Sequence, residues 1–352
     1  MADVQDFKPL KRVPMVLAVI GWIVRFFSPN YEARTRAYNA QMRKIEQQAS
    51  SSSSSSSSGP SSKEAAASSS LSLDPATLPP YRLTSIGISH YVEKVRWALS
   101  LGSRDYYEDA HAPGLHVPFT LAATNNQSTM TPLLTTYDPE NPTIVDSTAI
   151  LLYLSKHDRQ LSWLYPEEHA ARILEVEEML DQDLGVHVRR WAYSILLNFP
   201  DPTKKMMGAE LTWIERFLLP ILFGQLKVSF RKMFALTKST TDETEAKIQS
   251  LFDRVNEMLS DGREFLVGDQ FTAADLTFAA LSYPVIFPPA FDKRFPFDQA
   301  PQILQDKINH FRSQPAGQFA LRLYRDHRFA PSTAENQRFV STVSSRPLRA
   351  SL

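Results

Sequence analysis

Three short stretches hold residue types able to do chemistry. In "ISHYVEKVRWAL", residues 88–99, Ser89 stands immediately before a segment of helical spacing. A serine there caps the helix, its oxygen accepting a backbone N–H, which stabilises by about 1 kcal/mol. The same helix start carries partial positive charge and unpaired N–H groups, so a docked anion is stabilised and an outward hydroxyl can donate to it. In "STMTPLL", residues 128–134, Pro132 opens a strand, a position where its missing N–H is harmless. In "VDSTAILLYL", residues 145–154, Asp146 and Ser147 end a strand and begin a helix, the usual place for a cap. Each stretch taken alone is explained by structure as well as by function.

The elements that must hold these residues are legible from periodicity. "YRLTSI" is a short strand, Tyr91–Leu101 has helical spacing through Val92, Val95 and Leu99, and "DYYEDA" is strand-like. "TPLLTTY" and "TIVD" read as strands around the turn "DPENP", and "STAILLYLSKH" as a helix. The order is βαβ, a variable stretch over 111–130 with no functional residue assigned, then ββα. Beyond Pro166 no strand pattern appears. Glu167–Leu197, Lys204–Leu236 (bent at Pro220), Glu243–Ser260, Ala273–Tyr283 and Gln302–Arg325 read as helices. The boundaries expected are an N-terminal hydrophobic and charged helical segment (1–48), a Ser-rich disordered linker (49–78), an α/β domain (79–158), an all-α domain (166–328) and a disordered tail (329–352).

Outside the two domains, the apolar run Val13–Phe27 sits between Lys8, Lys11, Arg12 and the internal Arg25. It is apolar all round and shorter than the roughly 20 residues of a full span. A short anchor or interfacial helix and a buried helix remain alternative readings of it. No small-x-small cleavage site follows, and Asp3 and Asp6 do not suit an acid-poor transit peptide. The expected location is cytoplasmic or on the cytoplasmic face of a membrane.

Across 352 residues, 38 Lys plus Arg balance 38 Asp plus Glu, so no positive field draws the chain to nucleic acid. Cysteine is absent. Disulfides, thiolate nucleophiles and cysteine-bound metals are therefore excluded, and any thiol chemistry must use a thiol brought by a ligand. His111 and His116, near Glu108 and Asp109, match no closed metal spacing and read as solvated loop residues; no metal is expected. His90 is not assigned as a base, because neighbours at a helix start point in different directions. Lys94 and Arg96 read as the wet face of the first helix. Arg189, Arg190, Trp191 and Tyr193 on the first long helix read as core, or as the wall of an unassigned pocket.

The order of these parts resembles the cytosolic glutathione transferases. A strand, a helix opening Ser-x-x-x-x-Lys-Val-Arg, a Thr-Pro strand and an Asp-Ser helix precede an all-helical domain. "FLVGDQFTAADLTFAAL", residues 265–281, is similar to the family's Gly-Asp-x-x-Thr-x-Ala-Asp-Leu segment, with Thr272 and Asp275 as a capping box. The likeness covers about residues 81–326. It implies a thioredoxin-like α/β domain followed by an all-α domain, a homodimer, glutathione as co-substrate and a small hydrophobic electrophile as partner. By the same likeness Ser89 is the thiol-activating serine, the Thr131 backbone before Pro132 holds the cysteinyl part of glutathione, and Asp146 with Ser147 holds its γ-glutamyl end. A hydrogen bond to the thiolate, worth roughly 1.5–3 kcal/mol, lowers a thiol pKa of ~8.5 by about one to two units. Three residues depart from the family pattern: no lysine or glutamine stands among Ser128, Thr129 and Met130, Thr131 replaces the frequent valine, and Asp146 replaces the commoner glutamate. The missing basic contact near Met130, with the anchor-like segment, motivates the alternative of a non-catalytic, membrane-tethered module resembling the metaxins. A redox member of the fold is excluded by the lack of cysteine.

Overall fold

A computed structural model describes residues 81–102, 106–136, 138–291 and 297–328. The hydrophobic segment and serine linker expected within residues 1–78 and the tail over 329–352 lie outside the described residues.

The chain begins with β1 (Tyr81–Ile86), α1 (His90–Leu101), β2 (Tyr106–His111) and α2 (Val117–Ala123). β3 (Leu133–Thr135), β4 (Thr143–Val145) and α3 (Ser147–His157) complete the α/β unit. The sheet order is β2-β1-β3-β4. β1 runs parallel to β2, Tyr81 opposite Tyr106, whereas β3 is antiparallel to both β1 and β4, Leu134 facing Leu83 and Ile144. This is the mixed sheet expected from the βαβ–ββα reading, with β3 and β4 trimmed to three residues each.

The helical half comprises α4 (Ala170–Met179), a π-helical stretch (Leu180–Gly185), α5 (Val186–Leu196), α6 (Pro200–Gly208), α7 (Trp213–Met233) and α8 (Lys238–Met258). It continues with α9 (Ala273–Ile286), α10 (Gln302–Ser313) and α11 (Pro315–Leu323). Two expected helices are each split. Residues 204–236 break after Gly208, because the Thr212 hydroxyl accepts from Glu215 N and starts a new helix. Residues 302–325 break at Gln314, where Pro315 takes the first helical position, which needs no N–H. Pro220 lies inside α7, and the helix runs on through it.

α9 is buried on all sides and packs against α1, so it joins the two halves. Its start is fixed by Asp275, whose carboxylate accepts from Leu266 N (2.7 Å), Thr272 N (2.8 Å) and Thr272 Oγ1 (3.0 Å). Trp97 of α1 sits between Phe271 and Tyr324 of the helical half.

Lys94 and Arg96 do not form a wet face. Both are buried, because α1 is enclosed by the sheet on one side and the helical half on the other. Lys94 Nζ reaches Glu177 and Asp181, each at 3.0 Å, and donates to Thr148 Oγ1 at 2.7 Å. Burial opposes its charge, but the two carboxylates prevail and its pKa is raised. Arg96 pairs with Glu108 and Glu210 and donates to Gly87 O. Glu93 pairs with Arg328.

His111 is likewise buried, and His116 is half-buried with both ring nitrogens hydrogen-bonded. His111 ends β2, stacks on Phe119 at 3.8 Å and lies between Asp109 and Glu215. Desolvation opposes its charge, yet those carboxylates raise its pKa to about 10. His116 accepts from Gly114 N through Nδ1 and donates from Nε2 to Thr129 O at 3.1 Å.

Candidate functional site

Ser89 is the N-cap of α1. Its backbone is extended (φ −80°, ψ 129°), its N–H donates to Ile86 O, and its Oγ accepts from Val92 N at 3.4 Å. Since the oxygen serves as acceptor in this cap, the hydroxyl proton is left to be donated outward. The turn before it is held by Arg96, through Gly87 O, and by Tyr283, whose hydroxyl donates to Ile88 O. Ser89 thus stands where the strand, the turn and the positive end of a twelve-residue helix meet.

Beside it lies a cavity of about 140 Å³ shared by both halves of the chain. Ser89, Tyr91 and Thr131 line it from the α/β unit; Trp191, Tyr193 and Phe287 are among the walls supplied by the helical half. The Thr131–Pro132 peptide bond is cis. Two of the five sequence-derived site residues, Ser89 and Thr131, therefore open on one space. Pro132, Asp146 and Ser147 are not among its lining residues.

Asp146 lies at the start of α3 with φ +87°, a region a non-glycine residue seldom occupies and which tends to mark functional sites. Its Oδ1 accepts from Thr148 N (2.9 Å) and Ala149 N (3.1 Å), so the carboxylate caps its own helix while remaining exposed. The Ser147 side chain is buried, and its hydroxyl has no partner among the described residues.

Electrostatics separate the neighbouring groups by role. His90 is buried and donates from Nε2 to Gly185 O at 2.8 Å. Loss of hydration and the nearby Arg189 charge lower its pKa to about 3, so the ring is neutral at physiological pH. Tyr91 spends its hydroxyl proton on Asp181 O, and burial pushes the Tyr193 phenol up to about 12. Arg189, whose guanidinium lies 5.8 Å from the Tyr91 ring centre and 5.5 Å from that of Phe234, is the permanently charged side chain among the described lining residues. A cavity with apolar walls, one cation and a helix start stabilises an anion beside that helix start and an apolar group against its walls.

Two positioning residues were missed by the sequence reading. Lys94 ties α1 to α3 through Thr148 and to the helical half through Glu177 and Asp181, so it sets the Ser89 and Asp146 helices against each other. His116, in the stretch where no functional residue was assigned, holds the loop two residues before Thr131. Arg189 and Trp191 did carry a signal, the cation and aromatics at helical spacing on the first long helix.

An α/β unit with a four-stranded mixed sheet, followed by an all-helical unit and with a cleft between them, defines a thioredoxin-like, two-domain class of protein. The family model described as glutathione S-transferase, N-terminal domain, matches residues 83–161, and that described as glutathione S-transferase, C-terminal domain, matches residues 218–305. The chain thus carries the N- and C-terminal domains of the glutathione S-transferase family. Among solved structures it is similar to a glutathione transferase from Phanerochaete chrysosporium determined with oxidized glutathione (16% identity, TM-score 0.43, 69% of this chain and 93% of that one). It is also similar to glutathione transferase F7 from Populus trichocarpa (16%, TM-score 0.42, 69% and 98%). A third is a possible glutathione transferase from Rhodopseudomonas palustris (19%, TM-score 0.43, 76% and 100%). No curated protein matches the sequence.

Proposed function

We propose that the chain is a glutathione transferase of the serine type, activating the glutathione thiol for attack on a small hydrophobic electrophile. The observation that carries this reading is the place of Ser89 at the start of α1, where it opens with Thr131 on one apolar cavity. Ser89 donates to the thiolate and forms no covalent bond to substrate; the helix start adds positive potential, and burial beside apolar walls strengthens both effects. The Thr131 backbone holds the cysteinyl portion. Asp146 and Ser147 meet the γ-glutamyl end, with α3 supplying further N–H groups. The electrophile occupies the space walled by Trp191, Tyr193 and Phe287, where the thiolate sulfur displaces its leaving group. The full chain should be retained on immobilised glutathione and conjugate an aryl halide, and Ser89→Ala should lose most turnover. An equally active Ser89→Ala protein would overturn the assigned role.

Two observations favour a second reading, a non-catalytic member of the family: Asp146 already caps its own helix, and the Ser147 side chain is buried. A melting temperature unmoved by millimolar glutathione would select it.

A further inference from the structure

α7 carries apolar residues on two faces. Glu215, Leu219, Leu222, Phe223, Leu226 and Phe230 are buried, whereas Trp213, Phe217, Ile221 and Val228 are between 61% and 76% exposed. At 3.6 residues per turn these four, with Pro220 and Gly224, fall within an arc of about 100°. On a helix that only covers a core this arc is polar, and a contiguous apolar stripe marks an interaction surface.

The exposed charges of α7 itself have one sign. Arg216, Arg231 and Lys232 are exposed, and Glu215, the only acidic residue of the helix, is buried against His111. Arg216 donates to Gly208 O and Leu211 O, and Arg231 to the Asn198 side-chain oxygen, so these partners leave the cationic charge uncompensated. A second copy of the chain would bring the same cations face to face. The chain's own apolar segment Val13–Phe27 contains Arg25 and follows Lys8, Lys11 and Arg12, and would repel the cations of α7 in the same way. An anionic headgroup layer meets both requirements, apolar depth and negative charge.

We propose that the exposed face of α7 docks the protein on an anionic lipid bilayer, with the helix lying in the interfacial plane. Trp213, Phe217, Ile221 and Val228 enter the headgroup–acyl boundary while Arg216, Arg231 and Lys232 meet phosphate and carboxylate groups. No helix among the described residues is long and apolar enough to cross a membrane, and an in-plane helix has no need to be. Val13–Phe27, an apolar run with basic flanks, suits the same surface.

The test is co-sedimentation of the full chain with phosphatidylcholine vesicles with and without about 30% phosphatidylserine. Phe217→Ser with Ile221→Ser, both on an exposed face and leaving Val13–Phe27 intact, should weaken binding to the anionic vesicles at least about tenfold. Arg231→Glu with Lys232→Glu should weaken binding to anionic vesicles and leave binding to neutral ones unchanged. Trp213 emission, taken as wild type minus Trp213→Phe, should be open to aqueous iodide in solution and quenched by brominated lipid on vesicles. Wild-type affinity in the Phe217/Ile221 variant overturns the proposal. So does a Trp213 shielded from iodide before any vesicle is added, which would assign the stripe to a second copy or to the chain's own segment.

Discussion

Lys94→Met removes a fully buried charge at similar volume, and its consequence can be worked from its partners. The variant leaves Glu177, whose side chain is fully enclosed, with Tyr165 OH and Thr277 Oγ1 as its side-chain donors among the described residues. Asp181 is 18% exposed, so water relieves part of its loss, and Glu177 dominates the cost. Breaking one side of a buried pair costs about 3–5 kcal/mol, against about 1 kcal/mol or less for an exposed pair. For a folded unit of this size that is a drop of roughly 6–20 °C in melting temperature. Urea unfolding of the full chain measures it directly. Lys94→Met with Glu177→Gln removes the orphaned charge and should recover part of the deficit. A loss below about 1 kcal/mol with an unchanged urea slope would refute the claim that this pair cements the two halves.

The histidines predict a stability maximum near pH 6.5. His111 holds its proton in the folded state to about pH 10, so its contribution is complete below 6.5 and is lost as pH rises through 10. His90 and His116, depressed to about 3 and 4, act oppositely, because below 6.5 the unfolded chain binds protons that they refuse. Urea midpoints at pH 5, 6.5 and 9 should peak in the middle, with slopes of up to about 1.4 kcal/mol per pH unit per group; a rise from 6.5 to 9 would contradict the His111 assignment. His116→Ala should raise KM for glutathione about two- to tenfold with kcat nearly unchanged, since it removes one hydrogen bond to the loop before Thr131; a fall in kcat at constant KM would contradict a positioning role. Gly317→Ala should destabilise by about 1–3 kcal/mol in thermal unfolding, because the added Cβ overlaps the Phe311 carbonyl; a change below about 0.5 kcal/mol would show that α10 and α11 can part without strain.

Elements fixed by local pattern were legible in the sequence, and pairings across the chain were not. The switch from two-residue to helical spacing located β1, α1 and α3, and the Thr272–Asp275 spacing located the start of α9. The break at Thr212 had its own local signal, Thr-x-x-Glu after a glycine, masked by an apolar run strong enough to read as one helix. Lys94 and Arg96 gave no such warning. A charged residue reads as solvated until its partners are known, and Glu177, Asp181 and Glu210 lie between 83 and 114 positions away. His111 is the same case, its partner Glu215 arriving on a helix 104 residues later. Ser89 was legible as a cap, which the structure bears out; its reading as a thiol ligand comes from the family likeness and belongs to the proposed function. The shared cavity was beyond sequence periodicity, since the spacing that exposes Trp191 and Tyr193 to it also buries them in the core.

The most direct test of the central claim is the pKa of glutathione bound to the full chain, read from the ultraviolet absorbance of the thiolate as pH is varied. The account predicts a value about one to two units below the free thiol's ~8.5, returning toward it in Ser89→Ala. A bound thiol that titrates like the free one, or a lowered value that survives Ser89→Ala, would contradict it.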